Sequence, residues 1–211
     1  MCKINWNLKK SVIFLILACA FSVGIARVTA LSQMQQQVAE KVIRFHVLAH
    51  SDKAIDQELK LAVRDQVGAY VGSQLVGVED LNESRQIIYE QLDEIESRAR
   101  EVLRENGCEY AVTASLENHY FPEKTYGKAV FPPGQYEALR VVIGEGKGRN
   151  WWCVLYPNMC FSGNLYQVDA STGTEELQKV LTPDEYKMIM ESKDYEICFR
   201  FQELWESLKS M

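Results

Sequence analysis

Three histidines, at positions 46, 50 and 119, are the side chains of this sequence best suited to bind a metal or to transfer protons. His46 and His50, together with Asp52, are close enough in the sequence to suggest zinc ligands. Four residues separate the two histidines across a predicted strand and turn, so they need not share a face. The sequence also has no H-E-x-x-H motif or comparable ligand cluster. We therefore predict no metal site and no cofactor.

Nucleophilic catalysis lacks support in the same way. A cysteine nucleophile would need Cys108 or Cys153 beside a histidine, and no local pattern indicates this arrangement. The G-x-S-x-G motif of serine hydrolases is missing from the sequence. The three glycines of residues 144–150 precede a predicted strand rather than a helix, which indicates a hairpin turn and not a phosphate-binding loop. We predict that the protein is not an enzyme and has no catalytic residue.

The adjacent Trp151 and Trp152 favour binding over catalysis. Neighbouring residues of a strand point to opposite faces, so one indole is expected in the core and the other on the surface. Tryptophan is enriched at the centres of protein–protein interfaces, which makes an outward indole a candidate partner contact. The alternative is that other elements cover both faces of this strand.

Length and charge limit the classes of protein to consider. The 211 residues are 47% hydrophobic and 25% charged, which is typical of one globular domain. The first 30 residues contain four basic and no acidic side chains, so residues 31–211 carry 19 basic and 29 acidic ones, a net charge of −10. An acidic body without a basic stripe excludes nucleic-acid binding.

The N-terminus has the pattern of an export signal. Residues 1–10 are basic, residues 11–26 form one uncharged apolar run, and Val28 and Ala30 place small side chains where a signal peptidase would require them. Cleavage after Ala30 and retention of the run as a membrane anchor both fit this pattern, and lipidation at Cys19 is a weaker option. We assign residues 1–30 to the signal or anchor, 31–40 to a spacer and 41–211 to a single domain.

Export changes the interpretation of the cysteines, because disulfides form outside the cytoplasm. Removal of the leader leaves Cys108, Cys153, Cys160 and Cys198, which allow three pairings. A bridge between Cys153 and Cys160 would close a small loop. The alternative is that all four are small apolar residues of the core.

Hydrophobic periodicity predicts the elements that position these residues. Residues 42–49 alternate as a strand, with Arg44 and His46 on the face opposite Phe45. Further segments are predicted as helices at 55–76, from Asp80 to Asn106 and from Thr182, and as strands at 110–121, 138–143 and 151–156. The tail from Tyr195 suits a helix better than a strand. This order predicts an α+β domain: a largely antiparallel sheet of about four strands with helices packed on one face, preceded by an N-terminal signal or anchor helix.

Three stretches together resemble the stage II sporulation protein R family of endospore-forming Firmicutes. They are VIRFHVLAHSD at 42–52, LKLAVRD at 59–65 and YEALRVVIGEGKGRNWWCVLYPNMCF at 136–161. The last is long and unusual in composition. The sequence departs from the family pattern at His50, where asparagine is usual, at Lys53 and Ala54, where Ser-Pro is common, and at Asn158 and Met159.

The resemblance implies a signalling protein. Members of this family are exported from the forespore into the intermembrane space between forespore and mother cell. There they activate a membrane-embedded aspartic protease of the opposing membrane, which processes the precursor of sigma factor E. We expect this chain to reach the same space, and to stay tethered to the membrane if the leader is retained. The partner-binding candidates are Arg44, His46, Trp151, Trp152 and the loop closed by Cys153 and Cys160.

Two other classes of function compete with this interpretation. One is a structural or adhesion module of the developing septum, which would have no effect on sigma-factor processing. The other is an extracytoplasmic cell-wall hydrolase, for which the sequence offers no recognisable catalytic group.

Overall fold

Helices and strands alternate along the chain in an α+β arrangement, in a computed structural model that describes residues 6–159, 163–164, 167–168 and 170–191. The helices are α1 (Trp6–Ala39), α2 (Ala54–Gln74), α3 (Leu81–Glu90), α4 (Leu92–Glu105), α5 (Ala170–Val180) and α6 (Pro183–Met190). The strands are β1 (Ile43–Leu48), β2 (Val112–Phe121), β3 (Lys124–Tyr126), β4 (Ala129–Phe131), β5 (Gly134–Ile143), β6 (Asn150–Tyr156), β7 (Gly163–Asn164) and β8 (Gln167–Val168). The predicted α+β class is confirmed.

The main sheet is mixed, in the order β2-β5-β1-β6. β2 pairs with β5 and β6 pairs with β1 in antiparallel fashion, whereas β1 and β5 run parallel, with Arg44 opposite Ala138. The expectation of a largely antiparallel sheet is therefore partly wrong. β1 and β5 can pair in parallel because the chain between them forms a long crossover through α2, α3, α4 and β2. Parallel pairing requires such a connection.

The glycine-rich segment 144–150 is not a hairpin, because β1 lies between the two strands that the segment connects. Gly144 and Gly146 have positive φ angles, +57° and +61°, which glycine adopts without strain. Gly148 serves a different purpose: its N–H donates to the carbonyl of Ala49 at 2.9 Å, and a Cβ there would lie 2.2 Å from the carbonyl oxygen of Ser51. The segment thus crosses over the end of β1 in close contact with it.

Helices cover both faces of the sheet, which corrects the prediction of one covered face. In the first core, Phe45, Val141 and Leu155 of the sheet pack against α2 and α4. In the second core, Ala138 and Val154 pack against the end of α1, the β3–β4 pair and α6. The second face needs a cover because it carries apolar side chains such as Phe121 and Val154, and burying apolar surface is the main favourable contribution to folding.

Helix α1 runs without a break from the apolar N-terminal run into the domain. From Lys10 to Ala39 it is long and apolar enough to cross a membrane, and its most apolar stretch is not buried against the domain. A signal or anchor helix is compatible with this finding. Residues 31–40, expected to be a spacer, continue the helix to Ala39, and Val38 and Ala39 are buried in the second core. The segment is therefore part of the packed domain.

Local signals explain where the other helices begin and end. The Asp80 carboxylate accepts a hydrogen bond from the N–H of Glu83, and Thr182 forms a capping box with Glu185 before Pro183, as the sequence indicates. The single helix predicted after Asp80 is interrupted at Gln91 and forms α3 and α4. Helix α5 was not among the predicted helices, and the tail from Tyr195 lies outside the described residues.

Candidate functional site

Strand β1 carries two of the four side chains predicted to bind a partner. Arg44 and His46 face the second core, opposite Phe45, as the alternation predicts, but both are 0% exposed. A buried side chain cannot contact a partner directly in this conformation. A role of Arg44 and His46 in binding stays a prediction. Because both are buried, such a role is limited to supporting the surface residues that cover them.

Arg44 is enclosed by aromatic rings. Its Nε donates to the carbonyl of Cys153 at 3.1 Å and its Nη2 donates to the Tyr126 hydroxyl at 2.8 Å, while Nη1 has no hydrogen-bond partner among the described residues. Its Cζ lies 4.5–5.6 Å from the centres of four rings, those of Phe121, Tyr136, Phe131 and Tyr126. Electron density on the ring faces stabilises the charge in place of a carboxylate. Burial raises the pKa of Tyr136 to about 12, so this phenol stays neutral beside the guanidinium.

His46 lies between two other rings on the same face. Its imidazole stacks on Trp152 with centroids 3.7 Å apart and planes at 14°, and on His119 at 5.3 Å. Burial lowers the pKa of His46 to about 3, and the Asn150 side chain offsets only part of this effect. Burial likewise lowers the pKa of His119. Near neutral pH the His46 ring is therefore uncharged and is not available as a general acid.

The two tryptophans point to opposite faces of β6, as predicted, and both are half-buried. Trp151 contacts Phe45 edge-on at 5.5 Å and lies under the guanidinium of Arg64 at 5.1 Å. Trp152 contacts His46 and packs edge-on against Phe121 at 4.6 Å. Both faces of the strand are thus covered in part, which is the alternative considered above. Each indole keeps some exposed surface for a partner.

The described cysteines differ in chemical state. Cys153, in the middle of β6, is disulfide-bonded, whereas Cys19 and Cys108 are free thiols. Cys160 and Cys198 lie outside the described residues. A bond between Cys153 and Cys160 therefore stays a prediction, and the alternative of four unpaired core cysteines is wrong at Cys153.

The three stretches that carry the family resemblance meet at one place, where β1 ends, α2 begins and segment 144–150 crosses between them. Backbone groups of Lys147 and Gly148 donate to the carbonyls of His50 and Ala49, at 3.2 and 2.9 Å. The N–H of Arg149 donates to the Asp52 carboxylate at 2.7 Å. We call this arrangement the β1-end cluster. It fixes the loop that leads directly into the two tryptophans.

Two residues of the β1-end cluster were not among the predicted site residues. The imidazole Nδ1 of His50 accepts a hydrogen bond from the N–H of Glu145 at 3.1 Å, and the ring stacks on Tyr110 at 4.1 Å. Lys60 is 6% exposed and donates to the carbonyl of Arg149 at 3.1 Å. Burial lowers the pKa of Lys60. Its place beside the apolar stripe of α2 was the one signal in the sequence that could have found it.

These residues hold one another in position rather than forming a reactive group. His46 and His50 do not come together, because His46 stacks on Trp152 on the second face of the sheet and His50 stacks on Tyr110. Within the described ranges, no group of three or more histidine, cysteine, aspartate or glutamate side chains is placed to hold a metal ion. The arrangement fixes the shape of the loop that precedes the two tryptophans.

Comparison with known proteins connects this architecture to a family. The family model described as Stage II sporulation protein R matches residues 39–165, which include β1, the β1-end cluster and β6. The Stage II sporulation protein R of Bacillus subtilis (strain 168) is 34% identical over 178 residues, covering 80% of this chain and 79% of that protein. No solved structure matches the chain. The match to the family model and the identity to this relative both show that the chain belongs to the stage II sporulation protein R family.

Proposed function

We propose that this protein is an exported sporulation signal that activates a membrane-embedded aspartic protease in the opposing membrane, and so leads to processing of the sigma factor E precursor in the mother cell. Membership of the stage II sporulation protein R family is the observation that carries the proposal. The long apolar helix α1 at the start of the chain is compatible with export, either as a signal or as an anchor.

The chemistry of the described residues supports action by binding. The histidine closest to the family-like tryptophans has a pKa of about 3 and both of its ring nitrogens are buried, so it is poorly suited to transfer protons at neutral pH. Docking to the protease would favour its active state only through a difference in affinity between the active and inactive states.

The partly exposed indoles of Trp151 and Trp152 are the predicted contacts that a partner can reach. Trp152 lies over His46 and within 5.8 Å of the Lys124 ammonium group, so its ring position depends on buried neighbours. In this proposal Arg44 and His46 act as positioning residues. Alanine at Trp152 should weaken activation more than phenylalanine, because phenylalanine keeps an aromatic ring over His46.

The experiment is reconstitution in a non-sporulating host that carries the protease and the sigma-factor precursor. The protein is expressed with and without residues 1–30, and the size of the precursor is followed on a blot. We expect the precursor to shorten only when the full chain is made. A variant with a disabled export signal, produced at an equal level, serves as the matched control.

Two results would contradict the proposal. If the exported and folded protein leaves the precursor at full length, this chain is not sufficient to activate the protease. If the chain without residues 1–30 acts equally well from the cytoplasm, the signal does not act from the outer side of the membrane.

A further inference from the structure

The second face of the sheet keeps an accessible surface around the buried His46. Residues directly opposite one another in paired strands share a face, and His46 lies opposite both Arg140 of β5 and Trp152 of β6. Glu117 and His119 of β2 lie on this face as well, since they are paired with residues of the second core. Glu117 is exposed, and Arg140, His119 and Trp152 are half-buried. We call these four side chains the Trp152 face, and a partner can reach all of them.

The charge of the Trp152 face differs in sign from that of the protein as a whole. Arg140 belongs to this face, and the Lys124 ammonium group lies 5.8 Å from the centre of the Trp152 ring. These two positive charges stand against the one negative charge of Glu117, whereas residues 31–211 together carry a net charge of −10. Complementary charge guides partners to one another and excludes wrong ones. The Trp152 face therefore suits an acidic partner, which the rest of the protein would repel.

Arg140 is held by Glu117 through only part of its guanidinium group. Its Nη1 donates to the Glu117 carboxylate, whereas its Nε has no hydrogen-bond partner among the described residues. The hydrogen bond from Arg140 lowers the pKa of Glu117, so this carboxylate is charged near neutral pH. The pair is partly exposed, with 21% of the Arg140 side chain and 44% of the Glu117 side chain accessible. Such pairs contribute little to stability, so a carboxylate of a partner can replace Glu117 at a small cost.

Aromatic surface lies at a fixed distance from this guanidinium group. Arg140 and Trp152 flank His46 on its two sides, so two strand spacings, or about 10 Å, separate their backbones. Burial lowers the pKa of His119, so its ring adds an uncharged aromatic surface near neutral pH. Tryptophan and arginine are the residues most enriched at the energetic centres of interfaces.

This spacing defines the segment that the Trp152 face would accept. It requires an acidic and an apolar side chain on the same side of the partner, about 10 Å apart. In an extended chain of the polyproline II type, residues three apart lie on the same side and about 9 Å from each other. An acidic residue followed three positions later by an apolar one therefore fits both contacts.

We propose that the Trp152 face docks an acidic segment of a partner polypeptide, whose carboxylate displaces Glu117 from Arg140 while an apolar side chain packs on Trp152. Arg140 is then a residue that determines specificity, and Glu117 is an internal competitor for the same guanidinium group. The displaced Glu117 carboxylate returns to solvent, so neither charge is left buried and unpaired. This inference rests on the proposed function in one respect: the segment belongs to the extracytoplasmic part of the protease.

The first test titrates purified full-length protein in detergent micelles with a defined probe. The probe is a capped peptide of serine and threonine with one glutamate and, three residues later, one leucine, and glutamine replaces glutamate in the control peptide. The indole N–H resonance of Trp152 reports binding. We expect the probe to bind about tenfold more tightly than the control, because glutamine cannot form a charge-assisted hydrogen bond with Arg140. No binding of the probe, equal binding of the two peptides, or an equal response to inorganic phosphate would overturn the proposal.

Two substitutions separate recognition from a structural role of the ion pair. Arg140→Gln should weaken binding of the probe about tenfold, whereas Glu117→Gln should strengthen it about threefold, because the competing carboxylate is removed. Both substitutions break the same ion pair, so a purely structural pair would change binding in the same direction in both variants. That result would overturn the proposal. Arg140→Lys keeps the positive charge and should recover part of the binding, and urea denaturation shows whether each variant is folded.

The second test uses the reconstituted signalling assay at equal levels of each protein. We expect Arg140→Gln to lower activation about tenfold and Glu117→Gln to leave it equal to wild type or higher. Full activation by a folded Arg140→Gln protein would overturn this docking mode and leave the proposed function intact. Failure of the wild-type protein to activate would instead overturn the proposed function, and the peptide titration would still decide whether the Trp152 face binds acidic segments.

Discussion

The imidazole of His46 and the indole of Trp152 form a parallel stack with a centroid separation of 3.7 Å. The stack joins β1 to the edge strand β6, and it requires an uncharged imidazole because the His46 side chain is fully buried. Protonation of His46 should therefore lower the stability of the whole sheet.

We predict that this stack makes the protein less stable in mild acid. The pKa of His46 is about 3 when folded, against 6.5 for an ordinary histidine, so protonation favours the unfolded chain. The stability it contributes is complete above pH 6.5 and is lost as the pH falls from there toward 3. Between pH 7 and pH 5 the loss is about 2 kcal/mol. Urea denaturation of wild type and His46→Phe at both pH values measures it. An equal loss in the two proteins would contradict the prediction.

Arg44 should be important for stability even though it forms no ion pair among the described residues. Arg44→Ala removes packing against four rings and the hydrogen bonds that Arg44 donates to the carbonyl of Cys153 and the hydroxyl of Tyr126. We expect a loss of about 4 kcal/mol in the free energy of unfolding. Arg44→Met keeps most of the volume and should cost about 1–2 kcal/mol. Chemical denaturation compares the two, and an Arg44→Ala protein as stable as wild type would disprove this account.

Gly148 should not tolerate a side chain. A Cβ would lie 2.2 Å from the carbonyl oxygen of Ser51 and 2.9 Å from the side chain of Ala49, so the loop would have to move away from the end of β1. We expect Gly148→Ala to lower the free energy of unfolding by about 2 kcal/mol. The exposed neighbour Lys147 provides the control, since its replacement by alanine should change stability by less than about 0.5 kcal/mol. Similar effects of the two substitutions in thermal denaturation would argue against close loop packing.

The cysteines should differ in reactivity in the purified, oxidised protein. Cys108 is a free, half-buried thiol and should be alkylated without reduction, whereas Cys153 should react only after a reductant opens its disulfide. Peptide mapping then identifies the partner of Cys153, which we expect to be Cys160. A bridge closing such a short loop contributes about 2–3 kcal/mol in the chain-entropy model. Recovery of Cys153 joined to Cys198 would refute the predicted pairing.

Local patterns predicted the individual elements better than their arrangement. The alternation of residues 42–49 identified β1 and its two faces, and Thr182 with Pro183 identified the start of α6. No local pattern could indicate that β5 pairs in parallel with β1, because that pairing depends on contacts between distant residues. Helix α5 was missed since Ser171, Thr172 and Gly173 in its first turn have low helix propensity.

The predicted site residues illustrate the same limit. Arg44 and His46 were correctly placed on the face opposite Phe45, but polar side chains are usually exposed and these are buried. Their cover comes from rings such as Phe121 and Phe131, which follow about 80 residues later in the chain.

The position of β1 within the sheet has a consequence for the timing of folding. β1 leaves the ribosome first among the strands, but its neighbours are β5, with Ala138 opposite Arg44, and β6, with Tyr156 opposite Ile43. At ordinary synthesis rates the ribosome needs roughly 5–20 s to reach β6. Until β5 has been made β1 has neither neighbour, and until β6 follows it has only one. This topology delays its own completion, because the sheet closes only after the last strand has arrived, and an incomplete sheet is the state that export across a membrane would require.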